Sequence, residues 1–295
     1  MIRNSQLLFV TVGITPAFAS TIINDDFDDN TVAGWQSVGN GLAANHSFTE
    51  SGSDLTSQVV ATQPNNNTHR GIVSDASFDP ANSGGFTASF VVTSQGIPAP
   101  GANGLFLGLT SDNGTFFRDA SVSSFGLTLF GHPTRTLSEG GVSLVTNDIG
   151  AGGSAAEGLI LGANPSSIQL ASLQDGFNAN FSADAIGWSY LIDGVNDLGG
   201  APTTISESGT WADEGTDFAT VFGGDSDWHA LASNQGGATN NTHTLVVDRI
   251  TVTAVLEPSS SLLGALGICL AAARRRCQWA AQGNNLCTNI FMPPS

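Results

Sequence analysis

Between Gly85 and Thr93 the chain reads GFTASFVVT, with Phe86, Ala88, Phe90 and Val92 in one phase and Thr87, Ser89 and Thr93 in the other. A period of two is the mark of a half-buried strand, because successive side chains leave opposite faces. The pattern recurs. Leu105, Leu107 and Leu109 are in phase before a turn at Asp112-Asn113-Gly114, and Phe125, Leu127 and Leu129 repeat it. Trp188, Tyr190 and Ile192 are in phase, with a turn expected at Asp193-Gly194. The segment THTLVVDRITVTAV, from Thr242, predicts a long final strand. TIINDDF, SQVVAT, RGIVSDASF, VSLVTN, GLILGA and SIQLASL predict further strands, separated by Gly- and Asn-rich turns. No long segment carries a capped apolar period of 3.6. Many short strands at roughly even spacing predict an all-β chain, an antiparallel β-sandwich or barrel.

The two ends depart from this pattern. Residues 1–19 carry one charge, Arg3, then an apolar run from Leu7 to Ile14. Ala17 and Ala19 place small residues before Ser20, the order of a secretory signal helix cleaved after Ala19. At the other end, Ser261–Ala273 is apolar and precedes Arg274, Arg275 and Arg276. A helix from Pro258 to Ala273 would be roughly 24 Å long, short against a hydrocarbon core of about 30 Å. Pro258 suits a first helical turn. Glu257 and the three arginines would each complement one end of the helix dipole, and the arginines would remain on the cytoplasmic side. The expected division is a signal peptide over 1–19, a sandwich over 20–255, a sorting or anchor segment over 256–276 and an irregular extension over 277–295.

Glu257-Pro258-Ser259, the apolar segment with Gly264 and Gly267, and Arg274-Arg275-Arg276 together resemble the PEP-CTERM sorting signal of exported bacterial proteins. The resemblance implies an exosortase-type membrane enzyme as a processing partner, with the inner membrane holding the C-terminal segment at least transiently. Two features depart from the pattern: Leu256 stands where a first proline is usual, and nineteen residues follow Arg276.

Composition narrows the body. The chain has 11% charged residues, 36 glycines and a net charge of −17, and no lysine. From Ser20 to Leu256 there are twenty-four acidic residues against four arginines, Arg70, Arg118, Arg135 and Arg249. That surface opposes nucleic acid, whose affinity comes from Lys and Arg on phosphates. Cys269, Cys277 and Cys287 all lie in the tail, so the body has no disulfide and no cysteine-based zinc site.

INDDFDD followed by Gly34-Trp35, with LVVDRITVTAV closing the body, resembles the concanavalin A-like lectin, glucanase and laminin-G-like jelly roll. The resemblance implies that the first and last strands are neighbours. Asp248 is in phase with Val246, Ile250, Val252 and Ala254, which should face the core. A buried carboxylate needs a partner or a cation. Asp25, Asp26, Asp28 and Asp29 lie beside the likely neighbouring strand. Structural Ca²⁺ on Asp25, Asp26, Asp28 and Asp248 is one reading. A bulge turning Asp248 outward, or an arginine partner, is the other.

Four tryptophans occupy the body. Trp188 belongs to an alternating strand and to the core, and Trp35 follows the opening segment. Trp211 and Trp228 lie in acidic, Gly-rich stretches, where they either stack on a sugar ring or plug the core edge. For catalysis the sequence offers little. The related glucanases carry Glu-x-Asp-x-Glu on one strand, and WADEGTD, the nearest stretch, has the wrong spacing. No Gly-x-Ser-x-Gly elbow occurs. His46, His69, His132, His229 and His243 read as solvated loop residues. The expected function is a non-catalytic, exported, cell-surface sandwich that binds or organises extracellular polysaccharide. A purely structural surface protein and a secreted glycosidase with a divergent site are the alternatives.

Overall fold

The computed structural model of the chain describes residues 18–39, 46–60, 68–96, 105–114, 122–129, 139–146, 158–236 and 242–256. The expected tail helix lies outside these residues, as does the signal segment apart from Phe18 and Ala19, which are in β1. In chain order the strands begin with β1 (Phe18–Asp25), β2 (Trp35–Gly39), β3 (His46–Ser51), β4 (Asp54–Val60) and β5 (Thr68–Phe78). A one-turn helix α1 (Pro80–Ser83) leads to β6 (Gly85–Gly96), β7 (Leu105–Thr110), β8 (Ser124–Leu129), β9 (Glu139–Thr146) and β10 (Ile160–Gln169). Then come β11 (Phe177–Asp184), β12 (Gly187–Asn196), β13 (Pro202–Thr210), the short helix α2 (Phe218–Phe222), β14 (Trp228–Gly236) and β15 (Thr242–Leu256). Residues Ala19–Leu256 form one compact unit.

The strands make two sheets. One holds eight strands, in the order β13-β12-β11-β6-β15-β4-β3 with β1 also on β15. The other holds seven, β10-β9-β8-β7-β14-β5-β2. Both are built of antiparallel neighbours. This is the antiparallel sandwich the alternation predicts, and its first and last strands are neighbours. Among the described residues no helix is long and apolar enough to cross a membrane.

The inward phase of β6 is the predicted one: Phe86, Ala88, Phe90 and Val92 are buried. They meet Phe125, Leu127 and Leu129 of β8, Phe181 of β11 and Trp188, Tyr190 and Ile192 of β12 in one cluster between the sheets. The eight-stranded sheet follows the one-face rule, with Thr87, Asn178 and Ser206 outward and exposed. The seven-stranded sheet does not. Its outer face carries a second buried cluster of Val38, Val73, Phe106, Val145 and Leu231. Phe106 lies over the cross-strand pair Gly108–Gly126. A Cβ on Gly108 would come within 2.5 Å of the Phe106 ring, so glycine is required where the ring approaches the backbone.

Two local readings are corrected. Asp193-Gly194 is not a turn. β12 runs on to Asn196 through a register shift between Ile192 and Val195, and Gly194 takes φ +87° there. The chain reverses instead at Asp197–Ala201, where the Asp197 carboxylate accepts from Ala201 N at 2.9 Å. SIQLASL is strand only to Gln169. A 3₁₀ turn, Leu170–Asp175, follows, held by the Ser172 hydroxyl on Gln169 O at 2.7 Å. The two short helices had capping signals that strand periodicity hides. Asp79 caps α1 ahead of Pro80 at the first helical position, with Gly84 at φ 69° closing it. Asp217 caps α2 by accepting from Thr220 N at 2.6 Å.

Candidate functional site

The turn after β1 gathers the opening acidic residues around Trp35. Asp25 Oδ2 accepts from Trp35 Nε1 at 2.6 Å, and Asp25 Oδ1 accepts from Phe27 N at 2.9 Å. Phe27 is fully buried at φ 51°, in the left-handed region that bulky residues rarely enter, and packs on Trp35 at 5.6 Å. Asp25 therefore acts as the brace of this turn. Asp25→Asn should lower stability by about 1.5 kcal/mol, the lower end for a hydrogen bond to a charged group. Urea unfolding of the variant beside wild type checks it, and an unchanged midpoint would deny the brace.

The carboxylates named for calcium do not converge. Asp28 is exposed, Asp26 is half-buried, and Asp25 is committed to Trp35 and Phe27. Asp248 sits at a register irregularity: Val247 faces Val92, while Arg249 faces Val91. The inserted residue breaks the phase, so Leu245 and Val247 are inward before it and Ile250, Val252 and Ala254 after it. Val246 is therefore not in the core phase, and Asp248 is half-buried. Among the described residues no three His, Cys, Asp or Glu side chains group as metal ligands. The acid that joins this turn is one the sequence did not single out, Glu50. Burial, then the neighbouring Asp29 carboxylate, raises its pKa, and neither of its shielded carboxylate oxygens has a hydrogen-bond partner in the protein.

The two tryptophans named for sugar stacking are core residues. Trp211 is 2% exposed and Trp228 1%. Both pack on phenylalanine: Trp211 meets Phe125, Phe218 and Phe222, and Trp228 meets Phe222 at 5.1 Å. Their N–H groups are also taken, by Asp184 O at 2.7 Å and Asp225 O at 3.2 Å. Acidic loops anchor the indoles by carbonyls, which explains why the flanking sequence looks exposed. Of the processing residues, Ala19 and Ser20 lie in β1. Ala17, Glu257, Pro258, Ser259, Arg274, Arg275 and Arg276 lie outside the described residues.

The histidines differ most from expectation. His46, His69, His229 and His243 are on strands, and His229 and His243 are buried. His229 Nδ1 is 2.8 Å from Ser74 O. His46 spans the sandwich: Nδ1 lies 2.6 Å from Ser37 Oγ of the seven-stranded sheet, and Nε2 lies 2.9 Å from Ser57 Oγ of its own. Burial, then the charge of Arg70, lowers its pKa to about 4. Burial lowers that of His243 to about 4 as well. Arg70 is itself buried, and burial lowers its pKa.

The outer face of the eight-stranded sheet carries ordered polar rows. Cross-strand register aligns Ser206, Leu191, Asn180, Ser89 and Thr251 in one row over five strands. Thr251 Oγ1 extends it to Asn24 Oδ1 of β1 at 3.2 Å. The next row is Ser208, Ser189, Ser182, Thr87 and Thr253, with the Ser182 and Ser189 hydroxyls 2.7 Å apart. Neighbouring strands lie about 4.8 Å apart, and rows two residues apart about 6.8 Å. Both rows are uncharged. Asp193 and Arg249 bound the third row at opposite ends, with Asn178 and Val91 between them. In the sequence these residues read only as the polar half of each alternation.

No protein-family model matches the sequence, and no curated protein does. Solved structures resemble the chain path. A Lotus tetragonolobus seed lectin is 13% identical, with TM-score 0.49 over 81% of this chain and 100% of that one. Arcelin-5, a lectin-like defense protein from Phaseolus vulgaris, is 12% identical with TM-score 0.47, over 81% and 99%. An endo-1,3-β-glucanase from Streptomyces sioyaensis is 16% identical with TM-score 0.47, over 82% and 99%. A likeness at this level decides nothing about ligand or activity.

Proposed function

We propose that the chain is an exported, non-catalytic sandwich of the cell envelope that binds or organises neutral polysaccharide. The outer face of the eight-stranded sheet is the contacting surface. The observation that carries the reading is the pair of uncharged rows on that face, within a chain of net charge −17. Hydroxyls and amides both donate and accept, as sugar hydroxyls do, so each row offers repeated pairing without a desolvated charge. The chain's own charge repels anionic polymers at long range and leaves neutral ones indifferent. With Trp211 and Trp228 in the core, recognition rests on hydrogen bonds and on the apolar edge of Leu191, which is 39% exposed. The sorting-type tail from Glu257 to Arg276 supports export and processing by an exosortase-type enzyme.

The test has two arms. The full chain is applied to an array of neutral and acidic glycans, in calcium and in EDTA. A neutral polysaccharide should be retained equally in both, because the face offers no cluster of cation ligands. Ser89→Glu with Ser206→Glu, three strands apart in the row, should weaken retention about tenfold, roughly 1.4 kcal/mol, at unchanged melting temperature. Retention of no glycan would leave a structural surface role instead. In the second arm, Glu257→Ala with Pro258→Ala in the producing cell should leave the tail unprocessed, and normal processing would deny the sorting reading.

A further inference from the structure

β13 and β3 end the eight-stranded sheet. An end strand offers a row of unpaired N–H and C=O groups, on which another chain can add a strand. β3 is met at its end by the turn after β1, where Asn30 Oδ1 accepts from Gly52 N at 3.4 Å and Asp29 lies beside Glu50. At β13, among the described residues, no strand pairs on the side away from β12.

The ladder fixes which groups of β13 face that side. Pairing runs in step from Gly187–Thr210 to Ile192–Ile205, and Trp211 N donates to Ile186 O at 3.3 Å just beyond it. Bonded and unbonded pairs alternate in an antiparallel ladder. Counting from Ile186–Trp211, the bonded residues of β13 are Gly209, Glu207 and Ile205. Thr210, Ser208 and Ser206 therefore turn their N–H and C=O groups off the sheet. Their side chains are exposed, and Ser206 and Ser208 end the two polar rows. Pro202, which lacks an N–H, stands only at the first position of the strand. Two copies of β13 related by a two-fold axis would match these alternate residues donor to acceptor.

The obstacle is Glu207. It is in phase with the core residue Ile205, and its carboxylate accepts a hydrogen bond from the Tyr190 hydroxyl of β12. The side chain is half-buried, so water still reaches it at the open side of the strand. In pairing through Ser206, Ser208 and Thr210, Glu207 comes opposite Ile205, Glu207 or Gly209 of the second copy, according to register. None of these is a cation, and the chain has no lysine. A strand laid there would close over an ionised carboxylate without a counter-charge, which is costly. Inward charges on edge strands oppose strand addition in this way.

We infer that β13 is a strand-addition edge for a second copy of this chain, and that the Glu207 carboxylate keeps it shut. The backbone groups concerned lie beside the polar rows and not in them, so the inference is independent of the glycan reading.

The experiment reads amide hydrogen exchange in the full chain at pH 7 over a range of protein concentrations. In the wild type the Ser206 and Ser208 amides should exchange freely throughout, while those of Ile205 and Gly209, bonded to β12, are protected. Glu207→Gln keeps the volume and the hydrogen bond to Tyr190 and removes only the charge. In that variant the Ser206 and Ser208 amides should slow about tenfold once roughly nine edges in ten are paired, and the slowing should fall away on dilution. Association through the apolar tail would leave these two amides free, so it is not mistaken for pairing. Adding Ser208→Pro deletes one edge-facing N–H and no ladder bond, and should restore free exchange at Ser206. Protection of Ile205 and Gly209 in all three proteins reports an intact sheet. Free exchange of Ser206 and Ser208 in Glu207→Gln at every concentration would overturn the inference, as would protection of the same amides in the wild type.

Discussion

Phe86→Ala should destabilise the protein by about 3–5 kcal/mol, the range for removing a buried phenylalanine from a core that cannot collapse around the gap. Phe86 is 1% exposed and is the hub of the aromatic cluster. Its ring makes edge contacts with Phe78 at 5.6 Å, Phe125 at 5.9 Å, Phe181 at 6.2 Å and Phe222 at 5.3 Å. These four come from β5, β8, β11 and α2, so both sheets and the crossing helix lose a shared partner. Edge-to-face aromatic pairs add about 0.5–1.5 kcal/mol each beyond area burial. The site has little freedom to relax, because Phe125 and Phe222 are already 5.0 Å apart and Trp228 closes the far side of Phe222. The body has no disulfide to hold the chain once this cluster loosens. Urea denaturation followed by tryptophan fluorescence measures the loss, since Trp211 and Trp228 lie in the same cluster. Phe86→Leu keeps most of the volume and should cost less than half as much. Equal effects of the two substitutions would show that ring geometry and volume are not what Phe86 supplies.

Acidification from pH 7 to pH 4.5 should remove about 3 kcal/mol of stability through His46 and His243. An unfolded imidazole has a pKa near 6.5, and both are lowered to about 4 in the fold. Between those values the unfolded chain binds more protons, so stability is fully present above pH 6.5 and declines as pH falls toward 4. A shift of this size corresponds to about 3 kcal/mol per ring at face value. Solvent reaching the half-buried His46 reduces that, leaving about 3 kcal/mol for the pair. Glu50 acts with the opposite sign. Its raised carboxyl favours the protonated fold, so its contribution is present at low pH and is lost as pH rises through the carboxylate range. Denaturation at pH 7, 6 and 5 isolates the histidines, because few carboxylates titrate there. His46→Gln with His243→Gln should flatten the slope, the glutamines retaining polar contacts without a titrating ring. Parallel slopes for variant and wild type would assign the acid sensitivity elsewhere.

Two kinds of residue separate what was legible in the sequence from what was not. Phe86, Phe90, Leu107 and Leu127 announced their strands and their faces, because a period of two is imposed by backbone geometry wherever one face is buried. The adjacency of first and last strands came from the resemblance of the two ends to a known sandwich. Asp248 was legible only as a choice. Alternation placed it inward, and one inserted residue in β15 moved it out of phase, which depends on pairing with β6 and not on local sequence. Trp211 and Trp228 were likewise legible only as a choice, between stacking on a sugar and plugging the core edge. Their acidic, Gly-rich neighbours describe the backbone, whereas the indoles turn back onto Phe222 of a helix whose position is set by the whole fold.

By itself the sequence determined the all-β class, most strand positions, the inward phase of the principal strands and the acidic, disulfide-free character of the body. Only the tertiary structure decided that His46 of one sheet reaches Ser37 of the other, and that Ser89, Asn180 and Thr251 form one row outside them. The reason is range: alternation is written between residues two apart, whereas these groups are brought together by strand order and register across scores of residues.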